Sequence, residues 1–156
     1  MLFRSYISQV APSESSAIKL VSYEPMFLSH LKKTLGIRGV KRVKLHERLT
    51  ALRRIIIVVV EKNTPQSEIW RALQGAAAFR ADCGKICIAV DEDIDPENAD
   101  AVFWALAFRM NPSSDLQVIN YRSPGHGPER EHEAERVDAT LLMDATRKEE
   151  LPPLAD

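Results

Sequence analysis

The chain has 156 residues, of which 45% are hydrophobic and 28% charged, and its formal net charge is −1. These values are typical of one globular domain with a buried core. No apolar run reaches the roughly 18–20 residues of a membrane helix, and no signal-peptide pattern is present. The sequence therefore excludes the class of membrane-spanning proteins, and we expect a cytoplasmic protein.

The first predicted elements lie before residue 37. Residues 1–16 begin apolar and become turn-like, and we interpret them as a lead-in segment or the stub of another domain, ahead of a single domain over 17–148. A short strand is predicted over 17–23. A helix is expected to begin near Pro25, which suits a first helical turn, and to end at Gly36.

Two strands and a helix are predicted next. The segments 39–47 and 53–62 both have strand character, and the run IIIVVV in the second is typical of a strand buried on both faces. Thr64 is the expected N-cap of a helix through QSEIWRALQGAAAF, with Pro65 at its first helical position.

A further strand is predicted over 85–90, followed by a helix over 96–110 that Asp95 is expected to cap. Another strand is predicted over 115–121. The apolar face of the helix is assigned by its spacing to Ala99, Val102, Phe103, Leu106 and Ala107.

The last segments are a turn-rich and highly charged surface loop over 122–138, a returning strand over 139–146 and an exposed tail over 149–156. Strands and helices alternate along the whole chain. This order predicts an α/β fold, namely a three-layer α/β/α arrangement with a mainly parallel or mixed central sheet.

Four carboxylates stand close together in the segment AVDEDIDP, at Asp91, Glu92, Asp93 and Asp95. Hard cations bind clustered carboxylates, but an EF-hand loop has about twelve residues and a Gly at its turn, which this segment lacks. Asp95 and Glu97 also suit the N-terminal end of a helix. We therefore interpret the segment as a strand–helix junction, with a ligand or metal site at the strand end as the alternative.

The charge is distributed unevenly. Residues 1–80 hold 14 Lys/Arg and 5 Asp/Glu, whereas residues 81–156 hold 7 Lys/Arg and 17 Asp/Glu. The basic segment 30–54 has no aromatic residue for stacking on bases, so we interpret its strand as a charged sheet edge and expect no nucleic-acid partner. The asymmetry also fits oppositely charged faces that meet between subunits.

The remaining candidate residues have no spacing that defines a site. Cys83 and Cys87 are not a C-x-x-C pair and are expected to be buried free thiols. His126 and His132 lie in the charged loop without a known zinc-ligand spacing. No P-loop, dinucleotide fingerprint or nucleophile elbow is present, so we assign no catalytic, cofactor-binding or metal-binding residue.

The segment KICIAVDEDIDPENADAVFWALAFRMNPSSDLQVI, followed by PGHGP and LLMDATRK, resembles the C-terminal domain of UbiD-type decarboxylases such as 3-octaprenyl-4-hydroxybenzoate carboxy-lyase. The resemblance rests on the strand ending at residues 90–95, the helix with Trp104 and Arg109, the strand led by Asp115, and Asp144-Ala145-Thr146. It implies that the acidic segment belongs to a scaffold domain rather than to a metal centre.

Members of this family add CO2 to, or remove it from, aromatic or α,β-unsaturated acids. They use prenylated FMN with a divalent metal, usually manganese, and often potassium, which bind mainly to a preceding domain that also supplies a Glu-Arg-Glu set. We find no counterpart of that domain in this chain, so it is expected to bind no cofactor alone. Many members have a Ser-Lys pair near the cofactor phosphate, and this chain has Ala139-Thr140 at the corresponding position. The difference argues against a phosphate contact from this segment and indicates a subgroup of the family.

The resemblance therefore predicts an oligomerisation and active-site-completing domain, or a small subunit, of a UbiD-like aromatic-acid decarboxylase that is inactive alone. The expected partners are further copies of the chain, as a dimer or a larger oligomer, and a cofactor-bearing decarboxylase subunit. The alternative is a free-standing oligomeric scaffold or small-ligand-binding module without catalysis.

Overall fold

The computed structural model describes residues 14–46, 54–81, 83–122 and 138–148. A π-helical turn (His30–Thr34) continues the first helix. The other elements in chain order are α1 (Glu14–Ser29), β1 (Val40–Leu45), β2 (Ile55–Val60), α2 (Gln66–Phe79), β3 (Ile86–Asp91), α3 (Ala99–Phe108), β4 (Leu116–Arg122) and β5 (Asp138–Asp144).

The five strands form one mixed sheet in the order β1-β2-β3-β5-β4. The three central strands are parallel, and the two edge strands pair antiparallel with their neighbours. Helices α1 and α2 pack on one face of the sheet and α3 packs on the other. The predicted three-layer α/β fold is therefore confirmed.

The central strands are buried on both faces. Ile56 and Val58 of β2 point toward α1 and α2, whereas Ile57 and Val59 point toward α3. Since successive side chains of a strand alternate between faces, a strand covered on both sides is apolar at nearly every position. This explains the run IIIVVV, and the predicted strand positions 39–47, 53–62, 85–90, 115–121 and 139–146 all agree with the structure.

The strand predicted over 17–23 is wrong, because these residues belong to α1. Phe27 and Leu31, four residues apart, are fully buried on the side facing α2, and the Phe27 ring packs edge-on against Phe79 with 4.9 Å between centroids. This helical spacing of buried residues overrides the local strand tendency of the preceding segment. Pro25 lies inside the helix, and Gly36 has φ +68° where the predicted helix end is confirmed.

Two predicted caps are displaced. The Thr64 hydroxyl donates to the Glu61 carbonyl at 2.7 Å, and Pro65 occupies the N-cap position of α2 without a side-chain bond. Asp95 accepts a hydrogen bond from Glu97 N and forms a turn, whereas Asn98 caps α3. The side chains of Thr64 and Asp95 are both engaged in the turns that precede their helices, so neither of them caps the helix that follows.

The predicted inner face of α3 is only partly correct. Val102 and Ala105 are buried, but Phe103 and Ala107 are exposed. No helix among the described residues is long and apolar enough to cross a membrane. The predictions for residues 1–13, 123–137 and 149–156, including His126 and His132, lie outside the described residues.

Candidate functional site at the carboxyl edge of the sheet

The parallel strands β2, β3 and β5 end at one edge of the sheet, which we call the carboxyl edge. Ligands of open α/β sheets bind beyond such an edge. Asp91 ends β3, Asp144 ends β5, and Asp115 lies just before β4, whose antiparallel direction places its start at the same edge. The chain thus brings three carboxylates, all buried, to one side of the sheet.

The Arg109 cluster consists of Asp91, Asp93, Arg109 and Arg147. The Arg109 guanidinium donates to both carboxylate oxygens of Asp93, at 2.9 and 2.6 Å, and to Asp91 Oδ2 at 3.2 Å. Arg147 donates to Asp91 through its backbone N–H at 2.6 Å and to Asp93 through its side chain at 3.1 Å. The Arg109 side chain also lies 5.1 Å from the centre of the Trp104 ring. Two arginines therefore oppose these two aspartates.

The two aspartates of this cluster have opposite pKa shifts. Burial raises the pKa of the Asp91 carboxyl, against the opposing effects of the Arg147 N–H and the Arg109 charge. The hydrogen bonds from Arg109 lower the pKa of Asp93. Arg109 thus favours the carboxylate form of Asp93, whereas the cost of desolvation is the largest contribution to the pKa shift of Asp91.

Local backbone bonds shape the acidic segment. Ile94 N donates to the Asp91 carbonyl at 3.0 Å, and the Asp95 carboxylate accepts from Glu97 N at 3.0 Å. The Asn98 side chain then accepts from two free N–H groups in the first turn of α3, those of Asp100 and Ala101. The segment is therefore a strand–helix junction built from two successive turns.

The Lys148 cluster consists of Asp115, Asp144, Thr146 and Lys148. The Lys148 ammonium lies 2.8 Å from Asp144 Oδ2 and 3.5 Å from Asp115 Oδ2. The other oxygen of Asp144 accepts from the backbone N–H of Thr146 at 3.0 Å and from its hydroxyl at 2.6 Å. Asp115 Oδ2 also accepts from Asn111 N at 2.8 Å. One lysine thus faces two buried carboxylates and fixes the chain that follows β5.

Basic residues of the edge strand β1 oppose the acidic segment. Lys41 pairs with Glu92 at 2.5 Å, and Arg42 and Lys44 both reach Glu97, at 3.3 and 2.9 Å. The hydrogen bond from Lys41 lowers the pKa of Glu92, and that from Lys44 lowers the pKa of Glu97. The charge of β1 is therefore matched within the chain, as expected of a charged sheet edge.

No group of three or more His, Cys, Asp or Glu side chains among the described residues is arranged to hold a metal ion. A pocket at the opposite edge of the sheet, lined by Lys85, Arg122, Asp138, Ala139 and Thr140 among others, has an open volume of about 180 Å³.

The segment that replaces the Ser-Lys pair lines that pocket. The Thr140 hydroxyl accepts a hydrogen bond from Arg122 Nε at 3.2 Å, and Arg122 also donates to the Ala77 carbonyl. Cys83 and Cys87 are buried free thiols, as predicted, and burial raises the pKa of Cys87 to about 12. No chemistry of a reactive thiolate is expected from Cys87.

Sequence reasoning missed both clusters as units. Arg109 and Asp91 are 18 positions apart, and Arg147 and Asp93 are 54 positions apart. The three buried acids, Asp91, Asp115 and Asp144, each lie at an end of a predicted strand or within two residues of one, and this was the available signal, because parallel strand ends meet at one edge. The partner of each acid could not be predicted, since that depends on where α3 and the segment after β5 return.

Comparisons with known proteins place these residues in a family. Residues 20–138 match the family described as 3-octaprenyl-4-hydroxybenzoate carboxy-lyase C-terminal domain. A phenolic acid decarboxylase from Escherichia coli O157:H7 is 39% identical over 67 residues, which are 40% of this chain and 13% of that protein. One from Sedimentibacter hydroxybenzoicus is 36% identical over 62 residues, with the same shares of the two chains.

The fold is also similar to parts of larger enzymes. The UbiD-class enzyme HmfF from Pelotomaculum thermopropionicum, solved in complex with FMN, matches with a TM-score of 0.75 and 21% identity over 90% of this chain and 30% of its own. Vanillic acid decarboxylase from Sedimentibacter hydroxybenzoicus matches with a TM-score of 0.68 and 21% identity over 92% of this chain and 30% of its own. The chain thus spans less than a third of these enzymes and about an eighth of the curated relatives.

Proposed function

The chain belongs to the 3-octaprenyl-4-hydroxybenzoate carboxy-lyase C-terminal domain family, which confirms the resemblance, and from this premise we propose that it is the non-catalytic part of a UbiD-class aromatic-acid decarboxylase. In this role it acts either as a domain or as a small subunit beside a chain that binds the flavin. The observation that carries the proposal is the match over 90% of this chain to only 30% of a UbiD-class enzyme.

The chemistry of the carboxyl edge supports a structural role for this chain. The carboxylates of the Arg109 and Lys148 clusters are opposed by cations of the chain itself. A general acid or base needs a titratable group within reach of the substrate, and these groups are engaged in internal ion pairs. The cofactor, prenylated FMN with manganese and potassium in our proposal, would then bind to the larger part of the enzyme and supply the electron sink for decarboxylation.

In this assembly the residues of the two clusters would position the segment after β5 rather than transfer protons. Arg147 and Lys148 fix the four residues after β5 onto the carboxyl edge through bonds to Asp91, Asp93 and Asp144. These contacts therefore determine the position of residues 145–148, and an active site completed by this domain would depend on it.

The experiment is a gentle purification of the protein from its native host, with native mass, partner identity by mass spectrometry and visible absorbance recorded on the same sample. We expect a larger assembly that contains a UbiD-class chain and flavin absorbance, and that releases CO2 from an aromatic acid. A colourless assembly without such a chain would overturn the proposal. It would favour the second candidate, a free-standing oligomeric scaffold, which the exposed aromatic side chains of α3 support.

A further inference from the structure

The pocket at the edge of the sheet opposite the carboxyl edge, which we call the amino-edge pocket, has four charged lining residues. Arg54 and Lys85 directly precede β2 and β3. Asp138 begins β5, and Arg122 ends β4, which runs antiparallel to β5. The strand directions therefore bring three cations and one carboxylate to one place.

The charges that line this pocket do not balance one another. Lys85 Nζ lies 2.8 Å from Asp138 Oδ2. Burial alone would raise the pKa of Asp138, but the hydrogen bonds from Lys85 and Ala139 N and the charges of Lys85 and Arg54 together lower it. Asp138 is thus a carboxylate and offsets one of the three cations. The Arg109 cluster opposes two arginines with two aspartates, whereas the lining of the amino-edge pocket has two positive charges in excess.

Arg122 is held in place and still has hydrogen-bond donors to spare. Its Nε donates to the Thr140 hydroxyl at 3.2 Å, and a terminal nitrogen donates to the Ala77 carbonyl. A guanidinium has five N–H groups in a rigid fork, and these bonds use two of them. Its other N–H groups have no partner among the residues that the structure describes. The side chain is therefore preorganised to donate to a further acceptor in the pocket.

A β-bulge in β4 determines where this arginine points. Ile119 pairs with Thr140 of β5. Three residues farther along β4, Arg122 pairs with Asp138, which is only two residues from Thr140. Since side chains alternate along a strand, Ile119 and Arg122 would otherwise lie on opposite faces of the sheet. The extra residue places both on the face of α2, where Ile119 packs in the core and Arg122 reaches a carbonyl of α2.

The bulge contains a strained residue. Tyr121 has φ +60°, and its side chain is 89% exposed. The left-handed region is unfavourable for a bulky side chain, and Tyr121 gains almost no burial in return. Strained residues of this kind are concentrated at functional sites. The strain at Tyr121 is therefore an independent indication that the position of Arg122 serves a function.

We propose that the amino-edge pocket binds a phosphate group, either free phosphate or the phosphate end of a nucleotide. Two excess positive charges match the nearly doubly charged phosphate at neutral pH. The fork of Arg122 suits two phosphate oxygens, and Lys85 adds a flexible point charge. Unlike the Ser-Lys contact of the family, this site takes its cations from elsewhere in the chain, and Thr140 only positions Arg122. The site goes beyond the proposed function and requires no flavin-bearing chain.

The first test titrates the full chain with inorganic phosphate at constant ionic strength and follows the phosphorus resonance by ³¹P NMR. Arg122→Gln is compared with Arg42→Gln, which removes the same charge from β1, where Arg42 is about half exposed and pairs with Glu97. We expect wild type and Arg42→Gln to have the same dissociation constant. Arg122→Gln should raise it roughly 10- to 100-fold, because hydrogen bonds to a charged group are lost. Circular dichroism melting would confirm that each variant is folded.

A second variant, Lys85→Gln, covers the case in which the chain does not fold without the Arg122 bond to α2. The Lys85 side chain is 42% exposed and its removal should leave the fold intact. Because an exposed charge contributes little, we expect roughly 3- to 5-fold weaker phosphate binding. Wild type that binds no phosphate would overturn the proposal. So would Lys85→Gln, or a folded Arg122→Gln chain, that binds phosphate as tightly as wild type.

The source of the phosphate is distinguished by titrating the chain into FMN and into riboflavin, which has the same ring system without phosphate, and recording fluorescence anisotropy. FMN that binds more tightly than both inorganic phosphate and riboflavin would identify a nucleotide as the ligand. FMN that binds no more tightly than either would identify free phosphate. Acetate that displaces phosphate at equal concentration would show a general attraction of anions and overturn the proposal. Each outcome is independent of the partner found in the native purification, so the proposed function stands or fails separately.

Discussion

The two faces of the sheet hold their helices in different ways. On one face, α2 buries five side chains, among them Leu73 and Ile69, and α1 adds Phe27 and Leu31. On the other face, α3 buries only Val102 and Ala105, and its C-terminal end is attached through the Arg109 ion pairs. Helix α2 leaves no large apolar side chain strongly exposed, whereas α3 keeps Phe103, Trp104 and Phe108 exposed and available for a partner.

The comparison predicts the largest loss of stability on the α2 face. Leu73→Ala removes a fully buried side chain and should lower the free energy of unfolding by about 3 kcal/mol, since the transfer and cavity costs add. Leu106→Ala on α3 removes the same atoms from a half-buried site and should cost about 1 kcal/mol. Urea unfolding followed by circular dichroism measures both, and equal losses would contradict the difference between the faces.

The next largest effect is expected at the anchor of α3. Arg109→Met leaves Asp91, whose side chain is 10% exposed, without its guanidinium partner, and should cost about 2–3 kcal/mol. Arg42→Met is the control, because Arg42 and Glu97 are about half exposed and such pairs contribute roughly 0–1 kcal/mol. The same urea titration applies. If the two variants lose equal stability, α3 is not anchored by charge.

This contrast also explains how much could be predicted from the sequence. The strands and α2 were predicted because burial on two faces, or on one stripe, leaves a pattern within a single segment. The N-terminal half of α1 was not, because its sequence has local strand character, and the ring contact that positions the helix, Phe27 against Phe79, lies outside that half. The ion pairs of Arg109 and Arg147 could not be predicted either, because their partners come from other elements. The acidic segment was correctly interpreted as a junction, but Asn98 rather than Asp95 caps the helix.

A smaller effect is expected at the Lys148 cluster, which lies beside the α3 anchor but belongs to β4 and β5. Lys148→Met leaves the buried carboxylates of Asp115 and Asp144 facing each other without a cation, and should cost about 1–2 kcal/mol, a value reduced because Lys148 is 36% exposed. Lys148→Arg keeps the charge and is the control. Thermal unfolding at neutral pH distinguishes them, and equal losses for the two variants would show that packing, not charge, matters here.

The smallest change in unfolding free energy is expected at Asp93, the more exposed of the two carboxylates paired with Arg109, and this change depends on pH. Asp93→Asn should cost about 0.5–1 kcal/mol at neutral pH, since the Asp93 side chain is 43% exposed and its pairs are partly screened. Arg109 lowers the pKa of Asp93 below the ordinary value of 3.8, so the unfolded chain takes up the proton first as the pH falls. The contribution of this carboxylate is therefore complete above about pH 5 and is lost as the pH falls through and below about 4.

Urea titrations of wild type and Asp93→Asn at neutral and acidic pH give the difference in unfolding free energy between the two chains, and this difference should shrink as the pH falls. Glu92→Gln is the comparison variant, because Glu92 lies in the same turn but pairs with Lys41 of β1 instead of Arg109. Only Asp93→Asn should then loosen the end of α3, which the fluorescence of Trp104 beside Arg109 would report. A difference that stays constant with pH would mean that α3 is held by apolar contacts as α2 is, and the contrast between the two faces would no longer hold.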